Sequence, residues 1–335
     1  MARGKVVAAA TAAAAAMAIE RYVIAGPRYR GPRSDHFDGR RFHNIDSVQQ
    51  SHSGFVKWQM NKRPGTWPRW IDEPAGPKPL ERVGGGRLRV TLINHSTTLL
   101  QFDGVNVLTD PIWSMRCSPV PFAGPRRHRA PGIRFDDLPP IDAVLVSHNH
   151  YDHLDLPTLR RLPHAPVFAP LGTADVIGKR AIALDWWQST KLNDAVTITL
   201  VPANHFCARA LSDRNANLWG GFVIRAPAGD IYFAGDTGWG PHFAQIADRF
   251  DIRLALLPIG SYLPRWFMKP VHIDPREAVE AHAILRARRS VAIHYGTFRL
   301  GDDGEREPVD DLRSALAEHG IDTFHILEHG EGFEA

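Results

Sequence analysis

Cysteine is scarce in this chain: among 335 residues only Cys117 and Cys207 carry thiols, and they follow no CxxC or finger spacing. That excludes a disulfide framework and a zinc ribbon. Each is expected to be a small buried apolar group, although Cys207, two positions after His205, has a neighbour with which it could share a metal. A surplus of one charge is also lacking. The 40 basic and 36 acidic residues leave a formal net charge of +4, too little to call for nucleic acid as a partner. No GxSxG elbow occurs, and "GTADVIGKR" fails as a phosphate loop because its glycine spacing is one too long and no hydroxyl residue follows the lysine. Long apolar runs are missing as well. The Ala-rich stretch at residues 6–19 follows a basic start and has the look of a signal peptide or weak anchor. It falls short of the roughly 20 residues a bilayer span needs, and extending it buries Glu20 and Arg21. Residues 1–25 are therefore left as anchor, export signal or frayed helix.

An apolar content of 44% suits a globular protein with a sizeable core. Residues 26–86 are rich in Pro, Gly, Arg and aromatics without clear periodicity, and read as an extension packed on a domain with Trp58, Trp67 and Trp70 as anchors. From residue 87 to 335 the texture changes to short apolar strands, among them "LRVTLINHS", "AVLVSH", "VTITLVPANH", "DIYFAGD", "IRLALLPIG" and "SVAIHYG". Helices alternate with them. Asp155 is placed to cap one, and Asp274, Pro275 and Glu277 form a capping box with Pro at the first helical position. Some strands join by hairpins and others through helices, which implies a layered α/β fold with mixed sheets. No repeat of fixed period is visible.

Chemistry concentrates in "SHNHYDHLD", where three histidines and two aspartates occupy residues 148–155, directly after an apolar strand. His148 and His150, two apart, project to one side of a strand end. Asp152 and His153 follow in a turn, and imidazole with carboxylate is what Zn²⁺ and similar cations accept. Other apolar strands also end in such residues: His205 in "VPANHF", Asp236 in "FAGDTG" and His294 in "AIHYG". Loops at strand ends let a sheet gather side chains from distant sequence. Two metals are expected rather than one, with a carboxylate such as Asp236 able to bridge them.

The succession "SHNHYDH", "ANHF", "AGDTG" and "AIHYG" resembles the metallo-β-lactamase superfamily, over roughly residues 88–300. The resemblance implies an αββα four-layer sandwich with two mixed sheets and a dinuclear site at one edge. It assigns His148, His150 and His205 to a first metal, Asp152, His153 and His294 to a second, and Asp236 as the bridge. Asp110 and His95 would then stand behind the ligands and steady them. The implied cofactor is two Zn²⁺, with Mn²⁺ or Fe²⁺ acceptable to the same donors. A longer string that includes "HSTTLLQFDGVNVLTDPIWS", "GPRRHRAPG" and "IGSYLPRWFMKPVHIDPREA" resembles the N-acyl phosphatidylethanolamine phospholipase D branch. It implies hydrolysis of a membrane phosphodiester to phosphatidate and an N-acylethanolamine, by a hydroxide held between the metals. The catalytic set would be Asp152 and Asp236 with His272, carried over from "KPVH", on a phosphate oxygen or the leaving alkoxide.

A lipid substrate needs an apolar surface beside the metals. Tyr262, Leu263, Trp266, Phe267 and Met268, interleaved with Arg265 and Lys269, have the composition of a bilayer contact or of a core-covering loop. Arg126, Arg127 and Arg129 are candidates for anionic headgroups. Trp186, Trp187, Trp219 and Trp239 are expected mainly in the core, with Trp239 as the pocket candidate because it follows Asp236 so closely. The expected partners are a phospholipid and a membrane surface, with a homodimer allowed and the cytoplasmic side as the expected location. Two other readings stay open: a same-fold hydrolase of a soluble phosphodiester or sugar lactone, and a non-catalytic lipid-binding or sensor protein that keeps its metals for structure. A nuclease with a large inserted domain is disfavoured, because only a strand, a loop, a helix and a strand separate Asp236 from His294.

Overall fold

The structure is a computed structural model that describes residues 25–45, 50, 52–210 and 212–335. The Ala-rich segment at residues 1–24 lies outside them. Among the described residues no helix is long and apolar enough to cross a membrane.

Two seven-stranded sheets stack face to face. The first holds β1 (Leu88–Asn94), β2 (Thr97–Phe102), β3 (Val105–Thr109), β4 (Ala143–Leu145), β5 (Val167–Pro170) and β6 (Ala181–Leu184), in that order. The second holds β7 (Ser189–Lys191), β8 (Thr197–Val201), β9 (Gly221–Arg225), β10 (Asp230–Phe233), β11 (Ile252–Pro258), β12 (Arg289–Ile293) and β13 (Phe324–His325), again in chain order. The last strand, β14 (Gly332–Glu334), returns to pair antiparallel with β1 and covers that edge. In each sheet three antiparallel pairings are followed by three parallel ones. The two halves thus share a strand plan although no sequence period announces it.

Successive strand residues point to opposite faces, and here both faces are buried. Leu100, Val107 and Leu145 face the second sheet, where Leu200, Phe222, Phe233 and Leu256 meet them. Their neighbours Leu99, Leu108 and Val144 pack outward on Leu159 and Ala174, from the short helices α2 (Leu156–Arg160) and α3 (Thr173–Ile177). On the far side of the second sheet lie α4 (His242–Ala247), α6 (Pro275–Ile284) and α7 (Glu307–His319), which feed Phe243, Val279 and Leu312 into the same core. The order helix, sheet, sheet, helix is the αββα sandwich the motifs imply, and double burial explains why its strands read as near-continuous apolar runs.

The capping box forms as expected: the Glu277 amide donates to Asp274 Oδ1 at 2.9 Å and the Asp274 amide to Glu277 Oε2 at 3.1 Å. Asp155 takes the N-cap position of α2, but its side chain accepts from no helix amide. Its carboxylate accepts from the Ser114 amide and hydroxyl and from the Thr158 hydroxyl, and so ties a distant loop to the helix start.

The extension covers the domain with little regular structure, apart from one helix its composition did not announce, α1 (His52–Met60). Phe37 and Phe42 enter the main core. Trp58 is buried, stacked on Phe267 at 5.3 Å with its indole N–H donated to Asp302, while Trp67 donates to the Asp303 carbonyl. Trp70 is exposed under Arg126 and anchors nothing.

Candidate metal centre

Each functional side chain leaves a strand at the same edge of the sandwich. His95 follows β1, Asp110 follows β3, His148 to His153 follow β4, and His205, Asp236 and His294 follow β8, β10 and β12. Close approach of backbone makes this possible. A Cβ on Gly260, just past β11, would lie 2.1 Å from the His294 carbonyl oxygen, so no other residue lets the two strand ends converge.

The His148 to His153 segment is a turn rather than a strand end: the amides of His153 and Leu154 both donate to the His150 carbonyl. His148 Nε2 and His150 Nδ1 come within 2.9 Å, and His205 Nε2 within 3.2 Å of the same His150 atom. Asp152 and Asp236 each lie 3.2 Å from His153 Nε2, and 3.5 and 3.1 Å from His294 Nε2. Asp236 Oδ2 also reaches to 3.8 Å from His205 Nε2. It therefore faces both groups, where a bridging ligand has to be.

Three neighbours fix the imidazole orientations. His205 Nδ1 meets the Val271 carbonyl at 2.8 Å, His153 Nδ1 meets Asp110 Oδ2 at 2.6 Å, and His148 Nδ1 meets the Ser147 hydroxyl at 2.9 Å. Each leaves Nε2 turned to the common centre, as a support for ligands does. His95 bonds Asp152 Oδ2 through Nε2 at 3.0 Å. It also lies within ligand range of Asp152, His153 and His294.

Electrostatics sort the same residues. Burial, reinforced by neighbouring imidazoles, drives His148 well below the usual histidine value. Burial likewise lowers His150, His205 and His272 to about 3. Burial opposes charge at His153 and His294 too, yet the adjacent carboxylates win, raising His153 well above its usual value and His294 to about 9. Burial works against Asp152 and Asp236 as anions, but His153 and the other imidazoles hold both well below the carboxylate range. Two buried anions among converging imidazoles suit divalent cations. The fit is supported by buried atoms that, among the described residues, make no well-directed hydrogen bond even though carboxylates stand near them: His153 Nε2, His294 Nε2 and Asp236 Oδ1. Donors of this kind in native proteins call for an explanation. His148, His150 and His205 could hold one ion, Asp152, His153 and His294 a second, with Asp236 between.

Against this cluster opens a cavity of about 320 Å³, whose lining includes His150, Asp152, Asp236, His272 and His294 together with the apolar Phe55, Trp58, Phe206, Phe267, Met268 and Leu300. His272 stands 3.9 Å from Asp236. Of the residues in the 262–269 stretch, which contains the short helix α5 (Arg265–Met268), Phe267 and Met268 line the cavity and the rest do not. The Tyr262 hydroxyl donates to Asp311, and Arg265 pairs with Asp274 and Glu277 and donates to the His272 carbonyl. Leu263 and Trp266 border a separate depression beside Trp58, and Lys269 is exposed. Trp239 packs on Phe243 in the core and is no pocket residue; Trp186, Trp187 and Trp219 are also core-packed. Arg127 is buried against the Ser114 and Ile112 carbonyls, and Arg129 against Glu73 and Glu305, so neither is a surface for headgroups. Cys207 is no ligand: its thiol faces the Leu218 carbonyl, and burial raises it to about 12.

Sequence reasoning missed the contribution of the extension, where Asn44 accepts from the His205 amide, and Gln50, Phe55 and Trp58 complete the cavity wall. It also missed Phe206 and Arg214. "NHF" carried a faint signal for Phe206; nothing local marked the others.

A model of the beta-lactamase superfamily domain matches residues 105–295. An N-acyl-phosphatidylethanolamine-hydrolyzing phospholipase D of Caenorhabditis elegans is 38% identical over 272 residues, 74% of this chain and 76% of that protein. An uncharacterised Mycobacterium tuberculosis protein is 39% identical over 307 residues, 86% of this chain and 79% of that one. Among solved structures, an isothiocyanate hydrolase from Delia radicum gut bacteria superposes with a TM-score of 0.59 at 23% identity, over 74% of this chain and 100% of the other.

Proposed function

The chain belongs to the metallo-β-lactamase superfamily and is a metal-dependent hydrolase, and on that premise we propose that it is a dinuclear zinc phosphodiesterase that cleaves N-acyl phosphatidylethanolamine-type lipids in the manner of a phospholipase D. The observation that carries the reading is the cavity: its lining joins the metal cluster to a set of apolar side chains, a combination that suits a phosphodiester with hydrocarbon attached. The nematode relative, an N-acyl-phosphatidylethanolamine-hydrolyzing phospholipase D, agrees with it. A hydrolase of soluble phosphodiesters or lactones needs no such lining.

When bound, two divalent cations supply an activated water and neutralise charge growing on phosphate. The chain's own groups do the rest. Asp236 and Asp152 set the spacing of the two ligand groups and keep the centre from excess positive charge. His272, neutral through burial, offers a ring N–H to a phosphate oxygen or to the leaving alkoxide. Its position is held from behind, where Arg265 donates to its carbonyl at 2.8 Å. Phe267 and Met268, stacked against Trp58, exclude water from the side where acyl chains would lie. We place contact with a lipid surface at the outer face of this wall, where Phe55, Val56, Met60 and Trp266 are exposed beside Lys57.

The test is hydrolysis of an N-acyl phosphatidylethanolamine in mixed micelles by zinc-reconstituted protein, wild type beside Asp236→Asn, with products resolved by mass. Release of N-acylethanolamine and phosphatidate by the wild type and its loss in the variant is the expected result. A zinc-loaded wild type that leaves the lipid intact while cleaving a soluble diester or lactone overturns the lipid reading.

A further inference from the structure

One cation in the cavity wall has no role in the centre described above. Arg214 lines the same cavity as His150 and Asp236, yet among the described residues its guanidinium meets no carboxylate and no hydrogen-bond acceptor. The acid beside it in sequence is committed elsewhere: Asp213 accepts from the amides of Arg209, Ala210 and Gly26. The acids lining the cavity, Asp152 and Asp236, face the imidazoles. What holds Arg214 is Phe206, whose ring centroid lies 3.9 Å from the guanidinium carbon. Phe206 in turn stands edge-on to His150, with centroids 4.4 Å apart. Burial, helped by like-charge repulsion from Arg41, brings Arg214 down to about 10, still cationic at neutral pH. A guanidinium held over an aromatic ring without an acceptor still has its N–H fork to offer, and that fork matches a phosphate or carboxylate in a bidentate manner.

We propose that Arg214, seated on Phe206, is an oxyanion subsite in the cavity wall that binds a phosphate or carboxylate oxygen of the substrate beyond the metal ligands. The identity of that oxygen rests on the phosphodiesterase reading, whereas the existence of the subsite does not. Two sources of the charge are chemically equivalent: a non-bridging oxygen of the diester under attack, or a separate carboxylate on the leaving alcohol.

The experiment uses the full chain loaded with zinc, as wild type, Arg214→Gln and Arg214→Lys, with metal content measured for each. Inorganic phosphate is titrated calorimetrically, and KM and kcat are measured on short-chain N-acyl phosphatidylethanolamine and on N-acyl phosphatidylserine, which adds a carboxylate to the leaving group. Loss of a charge-assisted hydrogen bond predicts weakening of phosphate binding by about tenfold or more in Arg214→Gln, with partial recovery in Arg214→Lys and unchanged zinc content. On the lipids the change falls on KM more than on kcat. An equal rise for both assigns the diester oxygen, and a rise confined to the serine lipid assigns the leaving-group carboxylate. If neither lipid is cleaved by the wild type, the phosphodiesterase reading fails, and the phosphate titration alone decides the subsite. Phosphate affinity equal in wild type and Arg214→Gln overturns the proposal, as does a loss that tracks zinc content.

Discussion

Asp110 Oδ2 lies 2.6 Å from His153 Nδ1, with both side chains wholly buried. The carboxylate also takes the Ser147 amide and hydroxyl, at 2.7 and 2.6 Å. Burial raises Asp110 while His153 pulls it back, so the pair orients the imidazole whose Nε2 faces Asp152 and Asp236. Gly235 keeps room for the arrangement: at φ +62° it sits where a Cβ would come within 2.6 Å of Ser147 Cβ.

Asp110→Asn is isosteric and removes the charge. Zinc affinity is expected to fall about ten- to hundredfold, read by calorimetry, with the far-UV circular dichroism retained. Affinity unchanged within twofold shows that the contact does not set the ligand.

The unpartnered donors at the centre predict stabilisation by metal. Zinc at about a hundred times its Kd should add about 2.7 kcal/mol, raising Tm in a concentration-dependent way, and chelation should reverse it. Asp236→Asn should bind fewer than two ions per chain by metal analysis. A Tm indifferent to zinc contradicts the metal assignment.

Trp58 fastens α1 to the cavity wall through Phe267 and Asp302. Trp58→Ala should cost about 3 kcal/mol or more if the helix stays docked, and less if α1 simply detaches. Hydrogen exchange separates the cases, since protection is then lost over residues 52–60 while the sheets keep theirs. Activity on lipid should fall further than activity on a soluble diester.

His36 bridges Asp35 and Asp185, at 2.5 and 2.7 Å, and stacks on Trp186. Burial opposes its charge, but the two carboxylates leave its pKa raised above 6.5. A raised folded value means this contact stabilises fully below about pH 6.5 and weakens as pH climbs through the folded pKa. Proteolytic nicking within residues 34–43 should therefore rise with pH above that point, and His36→Ala should make it flat. A wild type as resistant at pH 9 as at pH 6 removes His36 as the anchor.

Some of this was legible in linear sequence. The ligand turn at residues 148–153 and the strand-end residues His205, Asp236 and His294 stand out because metal ligands must be of few chemical types, placed where rigid strands stop. The capping box at Asp274 is equally local. Strand β13 and helix α1 were not readable, because each is too short or too weakly patterned to form without the surface it packs on.

The substrate-side residues were only partly legible for the same reason. A mixed stretch such as residues 262–269 has the right composition throughout, but a short helix turns only some of its side chains inward: Phe267 and Met268 face the cavity, and Tyr262 and Arg265 brace neighbouring elements.

The sequence by itself determined the layered α/β class and marked the candidate metal-binding residues, because periodicity and ligand chemistry are written in local order. Only the tertiary structure decided that the N-terminal extension walls the cavity and that Trp239 belongs to the core. It alone brought Arg214 into that wall without a counter-charge among the described residues. These depend on which distant surfaces meet, and burial and charge pairing are properties of that meeting rather than of any one stretch of chain.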